Sequence, residues 1–172
     1  QNVNKNVDPV RDLEIIETEI LLSDLDSLQK RLEKSNRKKL EKDELVFLEE
    51  CLKLINSGKK PDELKRNYSK ELIKKSALLS LKPRIIVCNV DEKSLPDGNK
   101  YSDACKKKFS DENIIIVCAD IEDQIMGLQT QDRKDFMVES GIKNTGLDNL
   151  IKTGYNTLGL STFFTSGPEE SR

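Results

Sequence analysis

Asn89, Asp91 and Glu92 stand close together in Asn89-Val90-Asp91-Glu92, where an apolar run of the chain stops. A carboxamide offers a donor and an acceptor on one planar group, while ionised carboxylates only accept. Such a set can read the polar edge of a small molecule, and it can equally do no more than shape a turn after a strand. A second polar tip, Ala119-Asp120 with Glu122, follows a second apolar run, Ile114 to Cys118. The four cysteines, Cys51, Cys88, Cys105 and Cys118, are far apart, form no C-x-x-C pair, and have no histidine to work with. That argues against a zinc site, points to a reducing compartment, and removes Ser-His and Cys-His nucleophilic catalysis.

The elements that carry these tips are legible in the pattern. In Lys82-Pro83-Arg84-Ile85-Ile86-Val87-Cys88-Asn89 the proline pushes its predecessor out of the helical region, and the β-branched residues after it favour a strand. The unbroken apolar run predicts a strand buried on both faces, as in a parallel sheet covered by helices. In such sheets ligands bind outside the carboxyl ends of the strands, where Asn89 to Glu92 fall. Between the two runs lie a Pro96-Asp97-Gly98-Asn99 turn and a helical pattern from Tyr101 to Phe109, with Tyr101, Ala104, Cys105 and Phe109 spaced along one face. The prediction is a βαβ unit with parallel strands at 84–89 and 113–118 and a right-handed crossover, so both polar tips share one edge.

Ahead of the sheet the pattern is helical. Asp8-Pro9 suits a helix start. Leu13, Ile16 and Ile20 form an apolar stripe that Leu21, Leu25, Leu28 and Leu32 continue one residue out of phase, as a stutter does in a coiled coil. A second stripe runs through Leu45, Leu48, Leu52 and Ile55, with Phe47, Cys51 and Leu54 beside it, and ends at Ser57-Gly58. A third helical piece is expected over 69–81, a short helix over 131–139 before Gly141, and a longer one over 147–158. The domain reading is a lead-in loop (1–8), a helical hairpin (9–81), an α/β portion (82–160), and the start of a further domain (161–172). Acidic Asp12, Glu14, Glu17 and Glu19 fall early on the first helix, where they favour the dipole more than a metal.

The chain has 172 residues, enough for one compact domain with an appendage. Charged and hydrophobic residues each make up 35%, and no apolar run approaches a membrane span. A cytoplasmic location, with no membrane and no DNA partner, is the expectation. Charge is uneven: Lys30 to Lys75 hold 15 basic and 9 acidic side chains, while the rest hold 14 and 22. A basic surface on a projecting hairpin, with Arg37, Lys38 and Lys39 at its turn, suits phosphate backbones. The same run also reads as a solvated face held by ion pairs.

Asn89-Val90-Asp91-Glu92 resembles the N-x-x-E base-recognition motif of the YchF family of Obg-like ATPases. Other segments match in order. Val7 to Asp12 with Glu14 to Glu17 resembles the lead into that family's helical insertion, and Cys118 to Glu122 its second base-contacting loop. Gly146-Leu147-Asp148 to Gly159-Leu160, and Thr162 to Pro168, resemble the passage into its TGS domain. The resemblance implies an α/β fold, the carboxy-terminal half of a P-loop NTPase parallel sheet with a long antiparallel, coiled-coil-like helical insertion. It implies ATP or GTP as the ligand, Mg2+ in the parent protein, and a ribosome or ribosomal RNA as partner. It carries the base contacts to Asn89, Val90, Glu92, Cys118, Ala119 and Asp120.

The resemblance gives Asn89 a purine N7 and an exocyclic group on the same edge. A shorter aspartate in ordinary GTPases accepts from guanine N1 and N2; Glu92, one methylene longer, crowds that position and disfavours guanine. Adenine presents an acceptor at N1, so Glu92 must then move aside or bridge through water. Cys118 and Asp120 depart from the common S-A-K version, which leaves backbone contacts intact but removes any lysine stem. No G-x-x-x-x-G-K-[ST] loop occurs, so no catalytic residue is assigned; the resemblance places the phosphate and metal ligands before Gln1. Two classes stay open: part of a YchF-like ATPase that hydrolyses nothing alone, and a non-catalytic module whose basic hairpin binds the ribosome or its RNA.

Overall fold

The computed structural model describes residues 7–140, 142 and 144–163, and the chain divides into two compact units, Gln1–Lys82 and Pro83–Arg172. The expected lead-in over 1–6, Gly141, and the segment from Phe164 onward that resembles the TGS entry lie outside the described residues.

In the first unit, helix α1 (Pro9–Leu32) begins as its sequence predicts, with the Asp8 side chain accepting from the Arg11 amide. A single turn, α2 (Lys34–Arg37), leads to α3 (Lys42–Asn56), which returns along α1 as an antiparallel hairpin. Leu28 of α1 and Phe47, Leu48, Cys51 and Ile55 of α3 are buried, with Leu21, Leu25 and Leu32 packed against them. Full burial of such a side chain is worth about 1.5–3 kcal/mol. The buried face of α3 therefore centres on Phe47 and Cys51, which the pattern put to one side. The amino-terminal part of the α1 stripe departs further: Ile16 is 49% exposed, and Ile15 and Leu22 are exposed too. Burial, with the negative charges of Glu50 and Asp24, pushes the Cys51 thiol up to about 12, so it stays protonated as a small apolar side chain.

The segment after α3 differs most from expectation. A 3₁₀ turn, Pro61–Arg66, buries Pro61 and Leu64, and the expected helix over 69–81 is only α4 (Lys70–Ser76). Ala77 then takes a left-handed conformation (φ 56°), and a 3₁₀ turn covers Leu79–Leu81. Continuing the helix would require the Leu79 and Ser80 amides to reach back one turn. Instead both donate to the carboxylate of Asp24, at 2.8 Å each, and the Ser76 carbonyl accepts from Arg31 Nη1 at 2.6 Å. Asp24 is 2% exposed. Buried Glu44 is held in turn by Arg31 (2.8 Å) and Lys75 (2.9 Å).

The second unit contains β1 (Ile85–Asn89), α5 (Lys100–Lys108), β2 (Asn113–Val117), α6 (Ala119–Gly127), α7 (Thr130–Glu139) and α8 (Gly146–Leu158). The strands pair in parallel, Ile85 with Asn113 through Asn89 with Val117, as predicted. The face α5 buries runs through Ser102, Cys105 and Phe109, while Tyr101 and Ala104 stay exposed. Gly98 (φ +98°) admits this packing, since a Cβ there would lie 2.2 Å from Ser102 Oγ and 2.5 Å from Ile116 Cδ1. Two expectations fail. Val87 is 44% exposed, so β1 is not covered on both faces, and residues 119–122, expected within a loop, form the first part of a helix that runs to Gly127. Helix α8 packs along β2 with Ile151, Tyr155 and Leu158 exposed.

Removing the Asp24 carboxylate leaves two part-buried amides without acceptors, each costing about 1–3 kcal/mol. Asp24→Ala is therefore expected to lose roughly 2–4 kcal/mol in denaturant unfolding followed by circular dichroism, and Asp24→Asn, which keeps one acceptor, about half of that. A loss below about 0.5 kcal/mol for the alanine variant, the range of ordinary surface changes, would mean that these bonds do not hold the break.

Candidate functional site

Parallel pairing brings the carboxyl ends of β1 and β2 to one edge of the sheet. The Val90 amide donates to the Val117 carbonyl at 2.8 Å, which carries the ladder one residue past β1, and the Val90 side chain is buried. Across this tip the Asn89 side chain, exposed on its outer side, accepts through Oδ1 from the Ala119 amide at 3.0 Å. With Oδ1 so engaged, the carboxamide presents Nδ2 and its two protons outward.

Ala119 is the first residue of α6, with Cys118 as the residue before it, 1% exposed and making no side-chain cap. Asp120 is exposed in the first turn, where its carboxylate favours the positive end of the helix. Past β1, Asp91 accepts from the Ser94 hydroxyl and Glu92 opens a 3₁₀ turn, Glu92–Ser94. The Glu92 carboxylate is exposed and makes no hydrogen bond or ion pair among the described residues. Asn89, Val90, Cys118 and Ala119 thus lie together at the sheet edge, Asp120 one step along α6, and Glu92 on the turn beyond. Among the described residues no group of three or more His, Cys, Asp or Glu is gathered as a metal site.

Two features escaped the sequence. One is the Asn89 to Ala119 bond, invisible because it joins residues 30 apart. The other is the role of Glu122, which the sequence placed in the second polar tip: its Oε1 accepts from the Gly146 amide and its Oε2 accepts from the Leu147 amide at 3.3 Å. Nothing in the sequence signals its partners, 24 and 25 residues further on.

Comparison with known proteins covers the chain from end to end. It is 35% identical over 181 residues to the ribosome-binding ATPase YchF of Bacillus subtilis, covering 99% of this chain and 50% of that protein. The Mycoplasma genitalium protein of the same name is 37% identical over 183 residues, again covering 99% and 50%. The Schizosaccharomyces pombe YchF GTPase structure superposes with a TM-score of 0.81 at 28% identity, covering all of this chain and 50% of that one. These matches support the chain as a segment of a YchF protein. No protein-family model matches it. The chain spans about half the length of the curated YchF relatives it matches.

Within this chain the basic residues at the hairpin turn divide. Arg37 is paired with Glu49 across to α3, whereas Lys38 and Lys39 are exposed with no ion pair among the described residues. Helix α1 is the longest, and no helix among the described residues is long and apolar enough to cross a membrane.

The Asn89 to Ala119 bond has a direct readout in amide hydrogen exchange. Asn89→Ala should speed exchange at Ala119 about five-fold, the equivalent of one net hydrogen bond of ~1 kcal/mol, while Asn89→Asp, which keeps an acceptor, should leave it protected. Equal exchange in all three proteins would remove the bond from the account of this site.

Proposed function

We propose that the sheet edge around Asn89 and Ala119 is the base-binding half of a purine-nucleotide site, with ATP preferred over GTP, in a ribosome-binding, translation-associated ATPase. The names of the relatives support the nucleotide and ribosome parts of this reading, one group called ribosome-binding ATPases and the Schizosaccharomyces pombe protein a GTPase. The observation that carries the adenine preference is the Asn89 Oδ1 bond to the Ala119 amide. It leaves Nδ2 to donate to a purine N7. The second lone pair on Oδ1 can accept from the adenine 6-amino group, the usual bidentate match of a carboxamide with adenine. Guanine carries a carbonyl oxygen there and needs a donor, but the nearest amide is already spent on Asn89. Glu92 adds to this, since its longer side chain sits poorly against guanine N1 and N2.

The chain contains no phosphate-cradling glycine loop, so hydrolysis needs residues outside it. In the proposed parent, Mg2+ would neutralise charge on the phosphates; the residues here supply the base contacts and its orientation. A cytoplasmic location fits a ribosome partner.

The test is competitive titration of ATP and GTP against the full-length protein that carries this sequence together with a phosphate loop. Asn89→Ala should weaken both nucleotides. Glu92→Asp should move the ATP/GTP affinity ratio toward GTP by roughly ten-fold, the worth of one base contact of about 1–3 kcal/mol. A ratio unchanged by Glu92→Asp would leave discrimination to Asn89 and Ala119 alone, and equal affinity for ATP and GTP in the wild type would overturn the preference.

For the ribosome, exposed Lys38 and Lys39 on a hairpin with six excess positive charges between Lys30 and Lys75 support contact with ribosomal RNA phosphates. Arg37 takes part after its pair with Glu49 is broken, so it ranks behind the two lysines. Cosedimentation with ribosomes should fall steeply with salt and weaken in Lys38→Glu/Lys39→Glu. Binding indifferent to both changes would place the contact elsewhere.

A further inference from the structure

Helix α6 would flank the base with its first turn, and the direction of that turn decides where the Ala119 amide holds the Asn89 carboxamide against the ligand. That turn is fastened at two points. Asn89 holds the Ala119 amide from the β1 side. On the other side Glu122, itself hydrogen-bonded through its amide to the Cys118 carbonyl at 3.0 Å, extends its carboxylate to the Gly146 and Leu147 amides that begin α8. These amides are among those a helix start leaves without internal acceptors, and a carboxylate there also meets the positive end of the α8 dipole.

The backbone at Gly146 is shaped for this contact. A Cβ there would lie 2.8 Å from Glu122 Oε1 and 2.8 Å from Val117 Cγ1, so only glycine lets the chain pass between the carboxylate and β2. Thr145, buried beside it, caps the same helix by accepting from the Asp148 amide at 3.0 Å. The start of α8 is thus fixed independently of Glu122, which makes it a firm anchor.

We propose that Glu122 is a positioning residue for the purine site: it ties the first turn of α6 to the start of α8, and so fixes where the Ala119 amide holds the Asn89 carboxamide that reads the base. Glu122 itself touches no ligand in this arrangement. The inference rests on the purine-binding reading given above.

The test measures affinity for ATP and, separately, for inorganic tripolyphosphate, which has no base, in the full-length protein with a phosphate loop. Glu122→Ala should weaken ATP roughly ten-fold, near the low end of what base contacts carry, and leave tripolyphosphate unchanged. Glu122→Gln, which keeps one acceptor oxygen, should recover part of the loss. If Glu122→Ala does not fold, Glu122→Gln and Gly146→Ala decide the matter, since the added methyl group displaces the carboxylate from the opposite side. ATP affinity unchanged in these variants, or equal loss for ATP and tripolyphosphate, would overturn the positioning role. A wild type that binds ATP no better than tripolyphosphate would instead overturn the purine reading, and this inference with it.

Discussion

At three places where a helix begins or breaks in this protein, backbone amides that have no acceptor within the helix find one on a side chain from a distant element. Asp24 of α1 does this for Leu79 and Ser80, Asn89 of β1 for Ala119, and Glu122 of α6 for Gly146 and Leu147. Each bond fixes the direction of a chain turn as well as satisfying a donor, because the acceptor has one place to stand and the amide has one direction to point. The polar side chains inside this small protein are therefore part of its frame. Removing one exposes an amide whose cost exceeds what the bond gained on forming.

The same bonds mark the limit of what could be read in the sequence. Asp8-Pro9 announced α1, and Ser57-Gly58 announced the end of α3, because those signals act within a few residues. The two β-branched runs and their parallel pairing were legible as well, although the cover on both faces that continuous apolar character implies is missing over Val87. The break at Ala77 was not, because the local pattern from Ser69 to Leu81 is helical and only Asp24, 53 residues earlier, takes the amides away. Asp24 itself falls beside an apolar stripe and reads as a surface acid until its two partners are known.

The candidate site divides in the same manner. Asn89 and Glu92 were conspicuous by type and position at a strand end, and Ala119 by the second run. The division of labour between the two ends of the Asn89 carboxamide was not legible, because it depends on which atom the neighbouring helix engages. Glu122 was hidden for the converse reason: its chemistry is ordinary for a first helical turn, and its partner 24 residues on is a glycine whose meaning is purely spatial.

Strand β1 pairs with β2 alone among the described residues, and Val87 projects uncovered from it. A two-stranded sheet is marginal in water, and a bare edge carrying an apolar side chain is a template for strands of other molecules. Handled by itself at high concentration, this chain therefore has a built-in route to intermolecular β-pairing and aggregation. That route begins on the strand that ends in Asn89, so the segment most exposed to misassembly is also the one that carries the candidate recognition group.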